Sequence, residues 1–192
     1  MDTFIHKYNI DETLCDELIH YHKTHDEYKI EGCFGNDEIN KEVKDSIDVM
    51  YFNPSNNSTI IKYFETLSFG VKEYVKKYKL IGRYRTNFTN LIQYYPPGGG
   101  FKTWHNERAE WGVPDNIISF RGLVYMTYLN TVNKGGETEF LHQKIKIKPK
   151  KGLTLIWPTD FTHEHRGIVA PKEEKYITTG WFNLVYPLFV FI

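Results

Sequence analysis

Two cysteines, no net charge and no long apolar run: what this 192-residue chain lacks excludes several classes before any motif is read. Cys15 and Cys33 are too few for a disulfide scaffold, so two reduced thiols in a cytosolic protein are expected. Lys and Arg number 24 against 24 Asp and Glu, which argues against a broad basic face for DNA or RNA. No stretch comes near the ~20 apolar residues of a membrane helix, and the closing VYPLFVFI is far too short for one. It reads instead as a strand end or the cover of a core edge. The opening MDTFIHKYNIDE has neither a cationic start nor an apolar core, so no secretory signal is expected. Repeats, low-complexity tracts and linkers are also missing. One domain over 1–192 follows, expected in the cytoplasm, with no membrane or nucleic acid as partner and an oligomeric state the sequence leaves open.

What is present changes style along the chain. The first eighty or so residues read as helical. Asn9 and Glu12 have capping-box spacing, with Leu14, Leu18, Ile19 and His22 following on one face. Ile60, Tyr63, Phe64, Leu67, Val71, Tyr74, Val75 and Tyr78 recur at three- and four-residue steps and predict one buried helical stripe, interrupted by Gly70. The polar stretch between them reads equally as short strands or as a loop. From about residue 81 the segments TNFTNLIQYY, RGLVYMTYL, KIKIKP, KGLTLIWP and EKYITTGWFNLVY are short, β-branched or aromatic, and bounded by Pro, Gly or Asn. In KIKIK, alternation points Ile145 and Ile147 inward, and NKGGE has the composition of a tight turn. Helices outside a sandwich or barrel, an α+β fold, is the expected architecture.

The chemistry gathers behind the glycines of YYPPGGG, where WHNE sets His105 and Glu107 two residues apart. Such a pair needs a distant third ligand to hold a divalent metal, and FTHEHRG offers His163 or His165. Two imidazoles and one carboxylate form the facial triad of non-haem Fe(II) oxygenases, which leaves positions open for a co-substrate and O2. Eight histidines make accidental pairs easy, and His163 and His165 share strand parity, so alternation leaves both open.

Four ordered blocks go further. NLIQYYPPGGGFKTWHNE, RGLVYMTYLNTVNKGGETEF, KPKKGLTLIWP and FTHEHRGIVAPKEEKYITTGWF together resemble the 2-oxoglutarate/Fe(II)-dependent dioxygenases, in particular their prolyl 4-hydroxylase-like branch, in the manner of phage or viral members. The resemblance implies a double-stranded β-helix, a jelly-roll or cupin-like core with flanking N-terminal helices. It implies Fe(II), 2-oxoglutarate and O2, with ascorbate as an accessory reductant. His105 matches the first family histidine, and Glu107 stands where the family usually has Asp. The extra methylene moves the carboxylate by ~1.5 Å, one carbon–carbon bond, and Glu remains a good oxygen ligand. The family places a basic residue about ten positions after its distal histidine, which selects His165 by its distance to Lys175.

By the same resemblance, Lys175 meets the buried 5-carboxylate of 2-oxoglutarate, with Tyr95, Tyr128 and Thr138 as hydroxyl candidates. Arg121 matches an arginine that faces substrate, and Phe101 stands where some relatives have Tyr. RAEWGVPDNIIS, carrying Trp111, reads as a lid or a plain loop. The implied activity is hydroxylation of an unactivated C–H, on a prolyl or other amino-acid side chain in a peptide. The alternatives are the same chemistry on a free small molecule or nucleobase, or an inert cupin-like metal-binding protein. Fold and cofactor do not fix the substrate.

Overall fold

The computed structural model describes residues 2–35, 38–108 and 121–185. In chain order it contains β1 (His6–Asn9), α1 (Glu12–Thr24), β2 (Lys29–Glu31), β3 (Lys44–Asp45), β4 (Ile47–Phe52) and α2 (Ser58–Tyr78). There follow β5 (Arg83–Thr86), β6 (Thr89–Tyr95), β7 (Gly100–Phe101), β8 (Arg121–Tyr128), β9 (Thr138–Phe140) and β10 (Ile145–Ile147). The chain continues with β11 (Leu153–Pro158), β12 (His165–Gly167) and β13 (Lys175–Val185). The large sheet has eight strands in the order β1-β11-β8-β13-β6-β4-β2, with β5 also paired to β13. A three-stranded sheet, β10-β9-β12, lies against it, and β3 pairs with β7. Every pairing is antiparallel, giving the jelly-roll core with two helices that the sequence led us to expect.

The large sheet buries a different set of residues on each face, as period-two alternation requires. On one face, Ile92, Tyr125, Ile156 and Phe182 pack under Leu14 and Leu18 of α1 and Ile60, Tyr63 and Leu67 of α2. On the other, Tyr95, Val124, Met126, Tyr128, Leu155 and Ile177 meet Phe140 and Ile147 from the small sheet. The functional side chains project into this second, inter-sheet space.

Helix α2 matches its expected stripe closely: Ile60, Tyr63, Phe64, Leu67, Val71 and Tyr74 are buried, with Val75 and Tyr78 packed at its rim. Gly70 has a packing reason, because a Cβ there would sit 2.4 Å from the Tyr8 ring. Asn57 caps α2, its side chain accepting from Thr59 N and Ile60 N. The start of α1 departs from expectation. Asp11, not Asn9, is the cap, its side chain accepting from Thr13 N, because Asn9 ends β1 opposite Leu153.

Of the two readings left open for the polar stretch, short strands hold, since β3 and β4 lie within it, whereas β1 and the start of β2 fall where the sequence read as helical. β4 is a well-paired member of the large sheet; Val49 and Tyr51 bury on the helix side, while Asp48 faces the other way beside Gln93. Ile145 and Ile147 are more buried than Lys146, as alternation required. No helix among the described residues is long and apolar enough to cross a membrane. Cys15 is buried and Cys33 partly buried, and neither is in a disulfide. The candidate lid beyond Arg108, with Trp111, and the tail beyond Val185 lie outside the described residues.

Candidate metal centre and co-substrate pocket

His105 and His165 are neighbours before any metal is considered, because their backbones exchange hydrogen bonds. His105 N donates to His165 O at 3.0 Å, and His165 N to His105 O at 2.9 Å. This isolated bridge sets β12 beside the segment after β7 and aims both rings into the inter-sheet space. Glu107 is anchored one step on, its N–H donating to Thr159 O at 3.1 Å.

Ligand atoms of His105, Glu107 and His165 all lie within 4.8 Å of one another. Glu107 Oε1 is 3.8 Å from His105 Nε2 and 3.6 Å from His165 Nε2. Two donor atoms with bonds of about 2.1 Å can share one ion at such separations. Each imidazole is held from behind: His105 Nδ1 lies 2.9 Å from Thr103 O, and His165 Nδ1 lies 2.9 Å from His163 O. A carbonyl can only accept, so each Nδ1 carries the proton and each Nε2 turns a lone pair toward Glu107. Phe101 stacks on the His105 ring at 3.7 Å, and Trp157 meets His165 edge-on at 5.1 Å.

The electrostatics agree with a ligand set. Burial, reinforced by the His165 charge, pushes the His105 imidazole down to about 4 against the opposing pull of Glu107. For Glu107, burial alone would raise the carboxyl; the facing His165 ring, the His105 charge and Arg121 outweigh it and hold the group at about 2. At neutral pH the cluster therefore offers a neutral His105 and an ionised carboxylate, the protonation states a metal needs.

The second oxygen of Glu107 is also held. Trp181 Nε1 donates to Oε2 at 2.9 Å, and the Arg121 guanidinium lies 3.6 Å over the Trp181 ring. Arg121 Nη1 donates to the Glu107 backbone carbonyl at 3.2 Å and stands 4.0 Å from Oε2. Trp181 was missed from sequence, although a signal existed: it lies six residues after Lys175 on β13, an even step that keeps both on one face.

His163 goes elsewhere. It closes a short 3-10 turn, Phe161–His163, so strand parity never applied to it, and its Nε2 lies 3.0 Å from Thr3 O.

Lys175 is 4% exposed, and its ammonium donates to Gly136 O at 3.3 Å and lies 4.8 Å over the Tyr95 ring. It also reaches toward β12, where a Cβ on Gly167 would sit 3.6 Å from Nζ. Burial lowers its pKa to about 8, with the Glu137 charge opposing. Tyr95 and Lys175 are directly opposed across β6 and β13. Tyr128 and Thr138 form a buried pair, Tyr128 OH to Thr138 Oγ1 at 2.6 Å, with the phenol also 3.1 Å from Ile147 O. Among the sequence-derived residues, His105, Glu107 and His165 form a triad braced by Trp181 and Arg121, and Lys175 is a buried cation over the Tyr95 ring.

Residues 89–183 match the family model described as the 2OG-Fe(II) oxygenase superfamily. No curated protein matches the chain in sequence. Among solved structures, the chain is similar to the viral collagen prolyl hydroxylase of Paramecium Bursaria Chlorella virus-1 in its 2OG complex, at 21% identity and TM-score 0.69, over 95% of this chain and 97% of that one. It is similar to a Pseudomonas putida prolyl-4-hydroxylase at 14% identity and TM-score 0.70, over 95% and 93%. A Trichoplax adhaerens prolyl hydroxylase, solved with a hypoxia inducible factor oxygen degradation domain peptide fragment, is similar at 18% identity and TM-score 0.70, over 94% and 84%. Likeness at these identities speaks to the fold.

Proposed function

The chain belongs to the 2-oxoglutarate/Fe(II) oxygenase superfamily through residues 89–183, and from that premise we propose that it hydroxylates an unactivated C–H in a prolyl or other amino-acid side chain of a peptide. His105, Glu107 and His165 would hold the iron. Bound Fe(II) supplies the place where 2-oxoglutarate and O2 become succinate and CO2 while one oxygen atom enters the substrate C–H.

The protein's own work is positional. Backbone carbonyls behind His105 and His165 fix their tautomers, and Trp181 fixes the Glu107 carboxylate. Lys175 would pair with the 5-carboxylate of 2-oxoglutarate, and the bonded Tyr128 and Thr138 are the hydroxyl candidates for the same group. Arg121, packed between Trp181 and Glu107, can anchor a substrate group only where that group comes within reach of Glu107 itself.

One observation carries the reading: a buried Lys175 reaches the strand that bears His165. Keeping an ammonium in such a place is costly without an anion to receive, and an inert metal-binding protein would have no use for it. The peptide part of the proposal is supported by fold likeness to prolyl hydroxylases, one of them solved with a peptide. The test is succinate release with Fe(II) and 2-oxoglutarate across proline-rich peptides, free amino acids and oligonucleotides. Stimulation by proline-rich peptides, with a matching mass gain of one oxygen, is the expected result. Stimulation by free amino acids or oligonucleotides alone would overturn the peptide assignment.

A further inference from the structure

A buried polar chain crosses the large sheet behind the co-substrate pocket, and its first members lie outside residues 89–183. Lys44 Nζ and Asp48 Oδ2 are 2.8 Å apart, with side chains 5% and 1% exposed. Asp48 also accepts from Ser46 Oγ at 2.8 Å and from Gln93 Nε2 at 2.9 Å. Gln93 Oε1 in turn accepts from Tyr95 OH at 3.0 Å, and the Tyr95 ring lies beneath Lys175 Nζ. The ladders place these groups in line: Asp48 opposes Gln93, and Tyr95 opposes Lys175.

The direction of every bond in this chain is forced. Asp48, paired with an ammonium, has only acceptors to offer, so the amide end of Gln93 that meets it is the NH2. The Gln93 carbonyl must then face Tyr95, and a carbonyl cannot donate. The single proton of the Tyr95 hydroxyl is therefore committed to Gln93. We propose that Asp48, acting through Gln93, sets the polarity of this pocket wall: Tyr95 offers its ring to Lys175 and gives no proton to the 5-carboxylate of 2-oxoglutarate.

This rests on the pocket assigned above and revises the part expected of Tyr95, which becomes a support for the Lys175 ammonium rather than a hydroxyl donor. Donation to the co-substrate falls to Lys175 and to Thr138, whose own proton is left over once Tyr128 donates to its Oγ1. Lys44, Asp48 and Gln93 are then positioning residues. A buried ion pair is weak evidence for stability but can be retained to enforce one arrangement, and the arrangement enforced here is which way a hydrogen bond points.

The experiment is anaerobic titration of the Fe(II) protein with 2-oxoglutarate, read as visible absorption, with thermal melting to verify folding. Tyr95→Phe should leave the affinity within about twofold, whereas loss of a donor to a charged carboxylate would weaken it about tenfold or more. Gln93→Met keeps Lys44, Ser46 and Asp48 satisfied but frees the Tyr95 proton. In that background Tyr95→Phe should weaken binding by about fivefold or more, a coupling that a merely structural role would not produce. The double variant Lys44→Met with Asp48→Asn should expose the same dependence by loosening Gln93 from its far end. A large loss from Tyr95→Phe alone, or equal effects in all backgrounds, overturns the proposal. Lys175→Ala in the same titration tests the pocket separately: unchanged affinity there would sink the pocket assignment itself.

Discussion

Trp181 Nε1 grips Oε2 of Glu107 at 2.9 Å, and this leaves Oε1 as the oxygen that faces both imidazoles. The carboxylate is thereby oriented by the protein itself, one oxygen held by the indole and the other turned toward the two imidazoles. The unusual length of Glu, where the family usually has Asp, finds its use here. The side chain spans from its anchor near Thr159 to the indole on β13.

Glu107→Ala should abolish both iron retention and succinate formation, and wild-type iron affinity in that variant would remove Glu107 from the site. Glu107→Asp withdraws the carboxylate by ~1.5 Å, so it should lose the Trp181 bond and most of the activity. Trp181→Phe keeps the ring beneath Arg121 but removes the donor, and should weaken metal binding by about 10–100-fold. Calorimetric metal titration of the three variants checks the series.

The two candidate histidines separate cleanly. His165→Ala should eliminate iron binding. His163→Ala removes a ring that faces Thr3 O and not the triad, so it should retain activity while lowering the melting temperature. The reverse pattern, scored by iron content and succinate yield, would move the ligand.

Lys175 gives a pH signature. Its pKa is about 8 in the folded protein, below the ordinary lysine value of 10.5, so the folded state binds fewer protons than the unfolded state between these values. Stability of the ligand-free protein from this group should therefore rise as pH increases from about 8 toward 10.5. Affinity for 2-oxoglutarate should move the opposite way, falling as pH passes about 8 and the ammonium is lost. Lys175→Met should flatten both trends, and Lys175→Ala should cost the co-substrate about 3–5 kcal/mol of binding while sparing iron. Equal loss of both ligands would make Lys175 structural.

Leu67 supplies a control away from the chemistry. It is fully buried on α2 among the helix-side cluster, so Leu67→Ala should destabilise the fold by about 2–5 kcal/mol. Below its lowered melting temperature, the Michaelis constant for 2-oxoglutarate should stay unchanged. A shift would mean that the helix layer communicates with the pocket.

Periodicity made α2 and the C-terminal strands readable, because each carries its pattern in consecutive residues. β4 was legible only as one of two options, a short strand or a loop. IDVMYF buries Val49 and Tyr51 against helices and turns Asp48 toward a buried ion pair, so apolar and charged residues mix in a way neither template describes. The cap at Asp11 was misplaced because a strand ending at Asn9 leaves no trace in a capping pattern. The triad was legible as spacing plus ordered blocks. Trp181, Gln93 and Asp48 were not, because their roles are defined by partners brought together only through cross-strand register.

Gly70 and His163 share a dependence on the start of the chain: one makes room for Tyr8 and the other faces Thr3 O. Between those two points, β1 occupies the outer margin of the large sheet and satisfies the free side of β11. Trimming the chain to its conspicuous motifs would strip that margin and leave β11 as an edge strand with open hydrogen-bonding groups. Such a strand recruits a second molecule. Self-association of a shortened form would then be a property of the cut, and would say nothing about how the intact protein assembles.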